Sequence, residues 1–331
     1  MKNKLKGLIV ITAIITLTGC GGSDSSGTQG SSSEMLSGST TAYFGDKVNN
    51  KIDVVDVENM DLIGEIYTNH KKTYAAEVVK THAQGHSASK KMYVVNRGSN
   101  AIDVIQSSTN SSTASITKTI NLAFHPRSID VEKETGLVTV SGTDKPMIAI
   151  IDGNSDKLLT IVGTDTVTYP TTTGHTYVSS GTLASGHPHW LDKKHFVLID
   201  RQAMKIITYK LVKNGDEYSA LMVNELSTPS PVHNLIPPQV HGSSGHHNGG
   251  KTYPIFYATA EGSSSAYPSV MKLYFSPNEG LKLLENLELS KSGLTKDVMG
   301  VHHLNFIKKT QKIYVGSDEG TLFIQQSPLM V

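Results

Sequence analysis

The chain has 331 residues, with 30 Lys and Arg against 29 Asp and Glu and a formal net charge of +1. That balance leaves no broad basic field to hold nucleic acid. A single cysteine excludes an intramolecular disulfide, a thiolate-bound zinc or iron–sulfur site and a Cys-x-x-Cys-His haem attachment, so histidine, at 14 residues, is the abundant polar ligand.

The chain opens on Lys2, Lys4 and Lys6, followed by an apolar run from Leu8 to Leu17. Such a run spans only about 15 Å as a helix, roughly half a bilayer core, which suits the hydrophobic region of a signal peptide better than a membrane anchor. Next comes Leu17-Thr18-Gly19-Cys20, which resembles the lipobox of bacterial lipoproteins. The resemblance implies removal of residues 1–19 and a diacylglycerol on Cys20. Gly21, by the same resemblance, favours the outer membrane, facing the periplasm. Residues 20–40 are then the lipidated cysteine and a Gly/Ser/Thr tether too poor in apolar surface to fold.

Residues 41–331 are expected to form one all-β domain. Short runs rich in Val, Ile, Tyr and Thr alternate with Gly, Asn, Asp and Ser clusters, the pattern of strands and turns. The runs recur: Lys51-Ile52-Asp53-Val54-Val55-Asp56, then Ala101-Ile102-Asp103-Val104-Ile105, then Met147-Ile148-Ala149-Ile150-Ile151-Asp152, with looser copies at Lys205, Met271 and Thr321. A repeat of about 45–60 residues holding four short strands is the unit of a propeller blade. The segment Met92 to Ile105 resembles the YVTN-type β-propeller repeat. The fold implied is a β-propeller of six four-stranded blades, or seven if one is degenerate, with the first blade short of an innermost strand and the last of an outer one.

In that repeat the strand nearest the axis comes just before the Met92-type strand, and the histidines collect there. They are His82 and His86, His125, His187 and His189, His241 with His246 and His247, and His302 with His303. Strand starts from several blades meet at one mouth of the channel. The candidate metal ligands are therefore His86, His125, His187, His189, His246, His247, His302 and His303. Imidazoles without thiolate suit copper first, then zinc, nickel or iron. In each pair one ring is expected to ligate while the other supports it or points elsewhere. Strand alternation sends His246 and His247 to opposite faces unless a bulge intervenes, whereas His187 and His189 share a face. His125-Pro126 also fits an ordinary blade of this type. His70, His175, His195 and His233 are expected in loops or on outer strands, away from the site.

A histidine-ringed propeller mouth is similar to the copper-bearing domain of nitrous-oxide reductase and to thiocyanate dehydrogenase. The resemblance implies a copper cofactor and redox chemistry on a small inorganic substrate, with electrons exchanged with a periplasmic protein partner. The chain lacks a cupredoxin-like domain, so any electron acceptor is external. The competing expectation is a lipid-anchored, non-enzymatic scaffold that binds a protein or polysaccharide partner. A haem d1 propeller is a third, opposed by the blade count.

Overall fold

The computed structural model describes residues 41–68, 70, 73–79, 90–107, 115–163, 183–236, 246–248, 251–263, 265–289, 301–307, 312–317 and 322–326. Cys20, the tether and His86 lie outside them. Six antiparallel sheets follow one another along the chain. The first is β1 (Thr41–Asp46), β2 (Lys51–Asp56) and β3 (Asp61–Tyr67); the second is β4 (Thr73–Val79), β5 (Lys90–Asn96), β6 (Ala101–Ser107) and β7 (Ser115–Asn121). The third holds β8 (Pro126–Val131), β9 (Leu137–Gly142), β10 (Met147–Asp152) and β11 (Lys157–Gly163). The fourth holds β12 (His189–Trp190), β13 (His195–Asp200), β14 (Lys205–Asn214) and β15 (Glu217–Ser227).

In the fifth sheet the strand after β16 (Val232–Ile236) is delayed by a separate hairpin, β17 (His246–Asn248) with β18 (Lys251–Tyr253). The sheet then resumes with β19 (Ile255–Ala260), β20 (Ser269–Ser276) and β21 (Gly280–Glu288). The sixth is β22 (Val301–Ile307), β23 (Lys312–Ser317) and β24 (Leu322–Gln326). The fold is an all-β propeller. The two end sheets have three described strands each, the first sheet beginning at its second-strand position and the last stopping at its third.

The second strands of the second, fourth and fifth sheets are apolar through their middles because both of their faces are covered. Met92 and Val94 pack toward the first sheet with Ile52 and Val54, while Tyr93 and Val95 pack toward the third with Ile129 and Val140. The same division recurs between Phe196 and Leu198 on one side and Val197 and Ile199 on the other, and between Phe256 and Tyr257. Period-two alternation thus feeds two seams from one strand. Full burial of such a side chain stabilises by roughly 1.5–3 kcal/mol, so the seams outweigh any single turn.

Local devices set the pitch of each blade. Asp46, Asp56, Asp152 and Asp200 each close a hairpin by accepting main-chain N–H bonds two or three residues on. The fourth residue after each takes a positive φ of 52–56° (Asn50, Met60, Asp156, Met204), the left-handed step that closes a four-residue loop. A bulge falls at one equivalent place in five sheets, between the third and fourth strands, at Val54/Val55, Val104/Ile105, Ile150/Ile151, Thr208/Tyr209 and Lys272/Leu273. Bulges add twist, which lets the sheets stack as blades.

Candidate metal centre

The first strands carry a different set of bulges, and these build the site. In β8 the register passes from Pro126 to Ser128, leaving Arg127 as the extra residue. In β16 it passes from Val232 to Asn234, leaving His233. In β22 it passes from Val301 to Leu304, so His302 and His303 together oppose one residue of β23. A bulge re-aims a side chain that strict alternation would send into a blade seam. Arg127 of the third sheet consequently reaches His233 of the fifth, its Nη2 lying 3.4 Å from both ring nitrogens. Contact that skips the fourth sheet places these residues on the common axis.

The fourth sheet contributes through the segment before β12. Gly186 N–H donates to Ile199 O, and His187 N–H donates to His233 O at 3.0 Å, tying this segment to β16. Glycine is required there: a Cβ on Gly186 would sit 2.8 Å from His233 O and 2.7 Å from Ile199 Cγ2. The sixth sheet is tied in by Thr259 Oγ1, which donates to His302 O at 2.7 Å.

Four imidazoles meet at this mouth. His233 stacks on His302 with centroids 4.2 Å apart and lies 4.9 Å from His303, while His187 is 5.1 Å from His233 and 5.4 Å from His303. Two groups have metal-ligating atoms within 4.8 Å of one another: His187, His233 and His303, and His233, Glu261 and His302. Glu261, just beyond β19, is buried. Its Oε1 is 2.9 Å from His233 Nδ1 and 3.8 Å from His302 Nε2, and its Oε2 pairs with Arg201.

Hydrogen bonding prepares two of the rings. His187 Nδ1 is 2.7 Å from Ser128 Oγ, and His233 Nδ1 faces Glu261. With Nδ1–H donated in each case, Nε2 keeps its lone pair for a ligand, and the carboxylate–imidazole pair is the usual support of a metal-bound histidine. Burial, with Arg127 and the neighbouring rings adding to it, holds both His187 and His233 well below the ordinary histidine pKa. Both are thus neutral imidazoles at neutral pH, the form that binds metal.

Of the expected ligands, His187, His302 and His303 come together here. His189 sits beside them but donates through Nε2 to Asn234 Oδ1 at 2.8 Å, with Nδ1 3.6 Å from Asp130. His125 is in neither three-residue group. Trp190 packs against Phe196 in the seam between the third and fourth sheets.

Two expectations need correction. His246 and His247 lie on β17, which pairs only with β18, because the first strand of this blade is β16, separated from β19 by residues 237–254. His233, expected in a loop or on an outer strand, is at the centre of the cluster. Its signal was present: Val232-His233-Asn234-Leu235 matches Val301-His302-His303-Leu304 at three of four positions. Glu261, Arg127 and Arg201 had no comparable signal. Two other expected bystanders do sit apart: His195 is paired with Asp192 at 2.8 Å beneath Phe275, and His70 lies 3.4 Å from buried Asp103.

No protein-family model matches the chain, and no curated protein does either. Solved structures share its fold. Hydrazine synthase of Kuenenia stuttgartiensis aligns with a TM-score of 0.51 at 12% identity, over 84% of this chain and 71% of that one. Sqt1 of Saccharomyces cerevisiae aligns at 0.60 and 8%, over 86% and 68%. The dihydro-heme d1 dehydrogenase NirN, solved with DHE, aligns at 0.53 and 11%, over 88% of this chain and 53% of that one. At these identities the likeness is one of propeller architecture alone, shared by enzymes and non-enzymes.

Proposed function

We propose that this chain is an envelope-facing propeller that binds one transition-metal ion at the axial mouth, through His187, His233 and His303. The observation that carries the reading is the pairing of convergent rings with engaged Nδ1 atoms. Three convergent imidazoles, two of them held neutral with Nδ1 engaged by Ser128 and Glu261, form a donor set, not a random cluster. His302 stacks behind His233, and Glu261 lies close enough to complete the sphere or to orient His233. An imidazole-dominated set suits copper first, with zinc the main competitor once a carboxylate is near.

The charge around the site shapes the choice of ion. Arg127 and Arg201 stand beside the rings with Glu261 as the nearby counter-charge, which disfavours a bare divalent cation relative to Cu(I) or to a divalent ion with an anionic ligand. Export, lipidation at Cys20, outer-membrane location, electron exchange with a periplasmic partner and turnover of a small inorganic substrate belong to the same proposal. They rest on the sequence features already described.

The test is equilibrium loading of a soluble form beginning near Met35, followed by elemental mass spectrometry. The reading predicts about one copper or zinc per chain, lost in the His187→Ala/His233→Ala/His303→Ala variant. A folded protein that retains only trace metal contradicts it and favours the partner-binding scaffold.

A further inference from the structure

Arg127 is only 3% exposed, yet among the described residues its Nε and Nη1 have no hydrogen-bond partner, and its Nη2 lies 3.4 Å from the His233 ring nitrogens. The charges acting on it are Arg201 and Arg97, both repelling, and Glu261, attracting. That one carboxylate is already committed: Oε2 to Arg201 and Oε1 to His233. Other carboxylates at this end of the third sheet are occupied as well. Asp144 accepts from His125 N–H, and Asp130 accepts from Trp190 N–H. Arg97 approaches from the second sheet, its Nε donating to the Arg127 carbonyl at 3.2 Å. Arg201 Nε is also buried without a partner.

Among the described residues, Arg127 and Arg201 therefore stand beside the histidine cluster with Glu261 as their shared carboxylate. A buried, permanently charged fork with unused donors is among the costliest arrangements a fold can keep, and folded proteins pair such charges. We propose that Arg127 is the principal donor of a binding site for a small inorganic oxyanion on the axis, against the inner face of the histidine cluster, with Arg201 at its side. The fork geometry of guanidinium matches two oxygens of such an anion. The site stands without the metal. When a cation occupies the histidines, the anion offsets charge beside it.

The experiment is calorimetric titration of metal-stripped protein with nitrite, sulfate and phosphate at fixed ionic strength. Wild-type protein is expected to bind at least one of them saturably, at one per chain. Arg127→Gln should weaken that binding by about 10–100-fold, the range for a charge-assisted hydrogen bond, and Arg127→Lys by less. His187→Ala should bind the anion within about threefold of wild type while losing metal, which separates this site from the metal proposal. Absence of saturable binding by wild type, equal binding by Arg127→Gln and Arg127→Lys at wild-type strength, or binding that appears only after metal loading would each overturn the assignment.

Discussion

The dipeptide His-His occurs twice and meets two different fates. His302 and His303 fall in a bulge of β22, whose opposite strand offers one residue to their two, and both rings enter the axial cluster. His246 and His247 pair in plain register with Tyr253 and Thr252 in a two-stranded hairpin separate from the six larger sheets. A bulge on a first strand is what turns a histidine toward the axis. The doublet by itself is not enough. Arg127 and His233 obey the same rule from β8 and β16.

The comparison breaks most visibly at His233, which belongs to both ligand groups. His233→Ala should lower metal affinity by more than the about 10–100-fold that follows loss of a supporting partner alone, read by competition with a chelator of known affinity. Glu261→Gln keeps the shape but removes the charge behind His233. It should weaken metal binding by about 10–100-fold and leave His303 in place, measured the same way.

A third test uses pH on metal-free protein. His187 and His233 are held neutral in the folded state, below the unfolded value near 6.5, so the unfolded chain binds more protons once pH falls beneath about 6.5. Stability should therefore be complete above that pH and decline below it. By pH 5.5 the loss is about 1 kcal/mol for each ring, seen as a shift in denaturant midpoint that the His187→Ala/His233→Ala variant does not show. Gly186→Ala should cost about 1–3 kcal/mol by pressing on His233 O and Ile199, with a matching fall in metal affinity as the His187 segment moves off β16. At the small end, His247→Ala should change neither stability nor stoichiometry measurably, since β17 stands apart from the axial strands.

The fold was legible because its second and third strands advertise burial on both faces: Met92 to Val95 and Phe196 to Ile199 on second strands, and Ile148 to Ile151 on a third strand, leave no polar face for solvent. Turn chemistry at Asp46, Asp56, Asp152 and Asp200 gave the spacing between them. The site was legible in part. His187, His302 and His303 could be placed by counting back from the second strand, and that rule failed at the fifth sheet because residues 237–254 intervene. Strand periodicity also hides bulges, since one extra residue changes no composition, so the aim of Arg127 and His233 could not be read from alternation. Glu261 follows Ala260 where Arg97 follows Asn96 and Arg201 follows Asp200. No repeated residue type marks that position, and its role emerges only from the distance to His233.

Bulges in β16 and β22 and the segment before β12 bring His233, His303 and His187 within reach of one ion. Anomalous diffraction from crystals of copper- or zinc-loaded protein, collected on either side of the metal absorption edge, tests it directly. One strong peak is expected, with Nε2 of His187 and of His233 and a ring nitrogen of His303 at about 2.0–2.1 Å. A peak at His246 and His247, or none on the axis at full loading, would contradict it.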